Sequence, residues 1–150
     1  MEMNGLLLFK HKRVYYIEIV TMDKKILLIN NDGAVSLIPG LLVRSGYGLD
    51  MVSDSETCLR RLQDRGYNLV IVLENPAAES WRLCEKIRRL TAIPLIVISA
   101  NASTDTCVKA ISAGADYFMR KPFGPLELLA RIDSLFQRSL PRQTVPIVSP

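Results

Sequence analysis

The feature that most constrains this fold is an alternation between short apolar runs and segments with helical periodicity. Apolar runs stand at residues 26–29, 49–52, 68–73, 94–98 and 116–119. The clearest of them are apolar at nearly every position, which is typical of strands buried on both faces. Five strands that alternate with five helices need crossover connections, so the sequence predicts an α/β fold with a doubly wound parallel sheet.

The segments between these runs carry the helix signals. Pro39 predicts that the first helix is kinked or starts late, because proline removes an intrahelical hydrogen bond. A capping box at residues 53–56 precedes the second helix, Asn75-Pro76 is predicted to begin the third, and Gly114 is a candidate C-cap of the fourth. The fifth is predicted over residues 126–136. The apolar faces of the first and fourth helices are predicted to contain Val35, Leu37, Ile38, Leu41, Leu42 and Val43, and Val108, Ile111 and Ala113, respectively.

Polar side chains cluster where the predicted strands end. Doubly wound sheets build their functional sites from the loops at the carboxyl ends of the strands. The residues that this rule selects are Asn30, Asn31, Asp32, Glu74, Ser99 and Lys121. We therefore expect the functional site at this edge of the sheet.

Composition excludes several classes of function. The net charge is +4, but residues 23–138 hold 15 basic and 13 acidic residues, which leaves no obvious stripe for nucleic-acid phosphates. Three widely spaced cysteines and one histidine argue against a zinc site or a disulfide framework. No run approaches the roughly 20 apolar residues that cross a bilayer, and the N-terminus does not resemble a signal peptide. We expect a cytoplasmic protein without membrane contact.

Several blocks together resemble the receiver domain of two-component response regulators, across residues 23–138. They are Lys24-Lys25-Ile26-Leu27-Leu28-Ile29, Pro94 through Ser99-Ala100, Gly114-Ala115-Asp116 and Lys121-Pro122-Phe123. With residues 127–132 behind them, they are most similar to the OmpR/PhoB regulators, in which a receiver precedes a winged-helix DNA-binding domain. The resemblance implies a flavodoxin-like (βα)5 sheet with strand order 2-1-3-4-5.

The resemblance also implies a chemistry whose residues this chain lacks. In that family an aspartate at the end of the third strand accepts a phosphoryl group, and two acids after the first strand hold Mg²⁺. Here the two acid positions are Asn30 and Asn31, which leaves only Asp32, matching a frequent third acid. The acceptor position falls on Leu73, or on Val72 if the alignment starts from Pro76. We expect no enzymatic activity, no bound metal and no cofactor.

Other family positions are kept or altered. Glu74 is the only carboxylate near the acceptor position, although one step along a strand turns a side chain to the opposite face. Ser99 and Lys121 match the residues that contact the phosphoryl group, and Lys121 has the alternative of a structural pairing with Asp32 or the Asn amides. Phe118 stands at the position of the switch aromatic, and a fixed core residue is the alternative.

In winged-helix regulators, receivers dimerise through the fourth helix, fifth strand and fifth helix by charge pairs. Lys109 and Glu127 match one such pair, and Arg131 matches half of another. The position of its acidic partner holds Tyr117, with Asp116 adjacent. The resemblance thus implies a homodimer through this face; the alternative is that these charges are only solvated helix surface.

Both ends of the chain lie outside the pattern that resembles a receiver. Residues 1–22 are predicted to be disordered or to reflect a mis-set start, and residues 139–150 are predicted to form a linker or tail with several prolines.

The sequence leaves three hypotheses for function. The leading hypothesis is a phosphorylation-independent receiver that regulates a C-terminal DNA-binding domain. The alternatives are a stand-alone adaptor for protein interaction, and a sensor that binds a small molecule between Asn30, Asn31, Ser99 and Lys121 above Leu73.

Overall fold

The structure is a computed structural model that describes residues 24–30, 36–64, 66–74, 79–100 and 103–139. Five parallel strands form one sheet in the order β2-β1-β3-β4-β5. The strands are β1 (Lys25–Asn30), β2 (Gly48–Val52), β3 (Leu69–Glu74), β4 (Leu95–Ser99) and β5 (Tyr117–Arg120). The helices between and after them are α1 (Ile38–Arg44), α2 (Ser55–Gln63), α3 (Ser80–Leu90), α4 (Thr104–Ser112) and α5 (Pro125–Ser139). The predicted fold class and strand order are confirmed.

Two apolar layers cover the sheet, and consecutive strand residues contribute to opposite layers because side chains alternate along a strand. Leu28 and Ile71 pack in one layer with Leu42 of α1 and Leu128 of α5. The opposite layer joins strand residues to α2, α3 and α4, as Cys58, Ile87 and Ala110 show. Each large apolar side chain buried in this way contributes about 1.5–3 kcal/mol to folding.

The first helix starts late, as Pro39 predicts. Helix α1 begins at Ile38, so Pro39 lies in its first turn, where a missing N–H removes no intrahelical bond. Ile38 and Leu42 are buried. The predicted burial of Leu37 and Val43 is wrong, since these side chains are 86% and 58% exposed; Val35 lies outside the described residues.

The helix ends show a second set of differences. Asp54, and not the predicted Ser53–Glu56 box, caps α2, because its carboxylate accepts hydrogen bonds from the N–H and hydroxyl of Thr57 at 2.7 Å each. Helix α3 begins at Ser80, later than the predicted start at Asn75-Pro76, which lies outside the described residues. The C-cap prediction at Gly114 agrees with its φ of 119°, a conformation that favours glycine.

Four strands end one residue later than the apolar runs predict, at Asn30, Glu74, Ser99 and Arg120. Backbone pairing at the carboxyl ends continues through polar residues, because Glu74 pairs with Ser99 and Ser99 with Arg120. The carboxyl edge of the sheet therefore includes polar side chains as part of its strands.

Helix α5 extends through Ser139, the residue at which the tail was predicted to begin. The predicted N-terminal extension, residues 1–22, and the rest of the tail lie outside the described residues. Within the described ranges, no helix combines the length and the apolar character that a membrane crossing needs.

Candidate functional site

The carboxyl ends of β1, β3 and β4 bring several predicted site residues to one edge of the sheet. The register places Asn30 opposite Leu73, and Glu74 opposite Ser99. Lys121 follows β5 and its backbone N–H donates to the carbonyl of Ser99 at 3.0 Å. A cis peptide bond links Lys121 to Pro122 at this point. Asn31 and Asp32, the other predicted members of the site, lie outside the described residues.

Leu73 forms the apolar floor of this edge. Its side chain is 1% exposed and packs in the layer that α1 and α5 cover. Val72, the other candidate for the acceptor position, is fully buried in the opposite layer. Both are aliphatic, so neither alignment of the acceptor position supplies a nucleophilic oxygen.

Glu74 is buried on the side of α3. Its side chain is 4% exposed, and the hydroxyl of Ser80 donates a hydrogen bond to Oε1. The other carboxylate oxygen, Oε2, is buried and has no hydrogen-bond partner among the described residues. Glu74 does not line the cavity that Leu73 shares with Asn30 and Lys121. One step along the strand has thus turned this carboxylate away from the Leu73 side, as the alternation of side chains requires.

The described residues do not fit the Mg²⁺ site that the resemblance implies. Mg²⁺ needs oxygen ligands, preferably charged ones, in octahedral geometry. Asn30 offers a neutral amide, and Leu73, opposite it, has no oxygen in its side chain. Over the ranges that the structure covers, no three His, Cys, Asp or Glu side chains lie close enough to hold a metal ion.

Phe118, at the switch-aromatic position, points inward. Its side chain is 8% exposed and packs in the layer beneath α2, α3 and α4. The guanidinium of Arg120 lies 5.9 Å from the ring centroid. This placement corresponds to the alternative of a core residue.

Lys109 and Arg131 of the predicted dimer face have partners within the chain. Lys109 forms an ion pair with Asp105 at 3.2 Å. The guanidinium of Arg131 lies 4.4 Å from the ring centroid of Tyr117, in a cation–π contact. Glu127 is exposed in the first turn of α5.

Asp116, which is adjacent to the expected position of Arg131's acidic partner, already has hydrogen-bond partners within its own chain. Its carboxylate accepts hydrogen bonds from Arg88 at 2.5 Å and from the N–H of Leu95 at 2.8 Å. These bonds commit Asp116 to holding β4 and α3 together. Of the two candidates beside Arg131, the structure pairs it with Tyr117.

Two features of the molecule were missed by sequence reasoning. Arg88 bonds the carbonyls of Gly114 and Ile93, and no local spacing signals this long-range contact. On α4, the predicted burial of Val108 and Ile111 is wrong: they are 54% and 43% exposed. Leu126 on α5 is 79% exposed. The α4 and α5 surfaces thus carry apolar side chains beside the predicted charges.

Comparison with known proteins agrees with this architecture. A family model, the response regulator receiver domain, matches residues 26–133. The transcriptional activator protein IrlR of Burkholderia pseudomallei is 31% identical over 104 residues, which are 69% of this chain and 45% of that protein. The alkaline phosphatase synthesis transcriptional regulatory protein PhoP of Bacillus subtilis is 30% identical over 121 residues, 79% of this chain and 50% of that protein.

Solved structures show the same fold. A two-component response regulator from Clostridium difficile superposes with a TM-score of 0.71 at 23% identity, covering 79% of this chain and 99% of the other. An orphan response regulator of H. pylori gives a TM-score of 0.64 at 26% identity, covering 77% and 98%. The chain spans about half the length of the curated relatives described above.

Proposed function

Because this chain belongs to the response regulator receiver domain family, we propose that it is a receiver that acts without phosphorylation, regulating a DNA-binding output domain through dimerisation. The observation that carries the proposal is Leu73, aliphatic and 1% exposed, in register with Asn30 at the edge where the family's acceptor and metal ligands belong. A phosphoryl acceptor must be a carboxylate in this chemistry, and leucine has no atom that can form the bond.

The environment of Glu74 supports the same conclusion. Its carboxylate is buried toward α3 and bonded by Ser80, so it faces away from Lys121, the cation that the family uses at the phosphoryl group. An acyl phosphate on Glu74 would place a doubly charged group in a buried space, which is costly unless a cation balances the charge.

The output part of the proposal draws on the relatives. The curated relatives described above carry the names of transcriptional regulators, and this chain matches about half of each. We therefore assign to this chain the regulatory half of such a protein, with contact to DNA made by a domain that follows it.

The dimerisation part draws on α4, β5 and α5. Val108, Ile111 and Leu126 are exposed apolar side chains on α4 and α5, and Lys109, Glu127 and Arg131 lie on the same two helices. Exposed ion pairs contribute only about 0–1 kcal/mol each, so the apolar residues would supply most of the affinity and the charges the register.

Intact-mass spectrometry tests the absence of phosphorylation. The protein is incubated with acetyl phosphate and Mg²⁺, beside a receiver that has the acceptor aspartate. We expect the control to gain about 80 Da, one phosphoryl group, and this chain to gain nothing.

An acid-labile adduct on this chain would overturn the proposal. The Glu74→Gln variant then identifies the acceptor. Loss of the adduct in this variant would assign it to Glu74, whereas retention would assign it to another residue.

A further inference from the structure

A cavity of about 520 Å³ opens at the carboxyl edge of the sheet, between α1 and the connection from β5 to α5. Ligand sites for small molecules are commonly about 300–1,000 Å³ in volume. The described residues that line it come from four parts of the chain: Asn30 and Leu73 from the strand ends, residues 36–38 with Leu41 and Arg44 from the α1 region, and residues 121–123 with Pro125 after β5.

Most of the cavity wall is apolar. Leu73 and Ile38 are buried beneath it, and Phe123 is half-buried on the α5 side. Leu37 stands at its mouth with 86% of its surface exposed, the largest exposure among the large hydrophobic residues of the described chain. An apolar ligand group in the cavity would remove part of Leu37 from water, which favours binding.

The charge of the lining is of one sign. Lys121 and Arg44 are both basic, and none of the described lining residues is acidic. Asn30 and Ser36 add neutral hydrogen-bonding groups, of which the Ser36 hydroxyl accepts from the N–H of Ile38 at 3.1 Å. Two cations beside an apolar wall favour a molecule with an anionic group and an apolar body.

We propose that this cavity binds a small organic anion with an aromatic or branched aliphatic body. The anionic group lies toward Lys121 and Arg44, and the body packs on Leu37, Leu73 and Phe123. The inference rests on the proposed function in one respect: an aspartate acceptor at position 73 would place negative charge on the cavity floor and repel this ligand.

Such a ligand would contact the connection that follows β5. Lys121, Pro122 and Phe123 line the cavity, and Arg120, the last residue of β5, directly precedes them. The lining of the cavity is therefore adjacent along the chain to the last strand of the proposed dimer face.

The probe for the test is 1-anilinonaphthalene-8-sulfonate, an aromatic anion whose fluorescence rises in apolar sites. Its uncharged counterpart, N-phenyl-1-naphthylamine, has the same ring systems without the sulfonate. We expect saturable binding of one sulfonate probe per chain and binding of the neutral probe that is weaker by about threefold or more, the scale of one exposed ion pair.

Two pairs of variants localise the binding. Leu37→Asp should raise the Kd by about tenfold or more, because it removes apolar contact and adds a negative charge that repels the anionic probe. Its control is Val43→Asp, since Val43 is an exposed apolar residue of α1 outside the cavity. Arg44→Gln should raise the Kd by about threefold, and Arg89→Gln, also a basic residue in the last turn of a helix, should leave it unchanged.

Equal binding of the two probes, or a Kd that neither Leu37→Asp nor Arg44→Gln changes, would overturn the inference. Cooperative thermal unfolding of each variant shows that the probe reports a folded site. The mass measurement with acetyl phosphate is independent of this titration, so loss of the ligand site and loss of the proposed function are separate results.

Discussion

At the scale of single residues, two buried thiols make the stability of the molecule depend on pH. Cys58 and Cys84 are fully buried in the layer beneath α2, α3 and α4. Burial disfavours the thiolate and raises the pKa of each thiol from its ordinary 9.0 to about 12. The native state therefore holds these protons at pH values where the unfolded chain releases them.

We expect the free energy of unfolding to fall as the pH rises above 9. The stabilising contribution is fully present below the unfolded pKa and is lost as the pH rises toward 12, with a slope that approaches about 1.4 kcal/mol per pH unit for each thiol. Urea unfolding between pH 8 and 10 measures it. Tyr47 and Tyr67, whose pKa values burial raises from 10.0 to about 12, contribute less in this window, because in the unfolded chain they ionise about one pH unit above the thiols.

The matched variants are the Cys58→Ala, Cys84→Ala double substitution and Cys107→Ala. In the double variant, whatever its stability at pH 7, the free energy of unfolding should lose most of its dependence on pH between pH 8 and 10. Cys107→Ala should keep this dependence, since Cys107 is only half-buried. An unchanged slope in the double variant would assign the dependence to other groups.

The sequence identifies Leu73 as a candidate for the acceptor position, but the directions of the neighbouring side chains do not follow from residue identity. The spacing to Tyr67 places the expected acceptor position on Leu73, which lies in register with Asn30. The side of the sheet on which Glu74 lies depends on whether β3 extends through it. The apolar run ends at Leu73 and does not show this. The orientation of Asp116 could not be predicted either, because its partner Arg88 is 28 residues away.

At the scale of elements, Arg88 connects α3 to the turn before β4 and to the turn between α4 and β5. Its Nε donates to the carbonyl of Gly114 at 2.6 Å and its Nη1 to that of Ile93 at 2.5 Å, while Nη2 bonds Asp116. Three bonds from one planar guanidinium are a geometry that lysine cannot reproduce. A Cβ at Gly114 would overlap with Cγ of Arg88, so the two positions are coupled.

We expect Arg88→Ala to lower the free energy of unfolding by about 2–3 kcal/mol, because it removes the donor to the carbonyls of Gly114 and Ile93 and the ion pair with Asp116. Gly114→Ala should cost about 1–3 kcal/mol, since it adds a clash to a φ of 119°. In the double variant the clash is relieved, so the combined loss should be smaller than the sum. Urea unfolding of the four proteins gives this coupling.

Arg89→Ala is the control for this cycle, as Arg89 is exposed on the same helix turn and should change stability by no more than about 0.5 kcal/mol. Strict additivity of Arg88→Ala and Gly114→Ala would show that the two residues do not interact.

The elements differ in how well the sequence predicts them. Strands β1, β3 and β4 and helix α5 follow from long apolar patterns that allow one interpretation. Helix α4 has apolar residues on more than one side, and the small Ala110 is its fully buried residue while Val108 and Ile111 face solvent. Periodicity indicates that a helix is amphipathic, but which side meets the sheet is decided by the approach of the neighbouring elements.

At the scale of the whole molecule, the exposed apolar residues of α4 and α5 bear on assembly. Within the chain, Lys109 is paired with Asp105 and Arg131 with Tyr117, so an intermolecular pair must replace existing contacts. The net gain from charge is therefore small, and apolar contact should dominate the dimer affinity.

Sedimentation velocity over a range of concentrations tests the proposed dimer. We expect Ile111→Asp to weaken association by about tenfold or more, since it removes apolar contact and buries a charge. Lys109→Glu should weaken it by no more than about fivefold, and adding Glu127→Lys should restore it, because the pair is then reversed.

Arg89→Glu on α3, outside the predicted face, is the control for a general effect of charge. Dimerisation that Ile111→Asp leaves unchanged would remove α4 from the interface. A Lys109→Glu, Glu127→Lys protein no better than Lys109→Glu alone would remove that charge pair.

The burial of Leu73 also bears on which side chains this position accepts. Leu73 belongs to the layer that includes Leu28, Ile71 and Leu128, so a carboxylate in its place would enter space that hydrocarbon now fills. Selection for stability alone would therefore favour an apolar side chain at this position, whatever the neighbouring cavity binds.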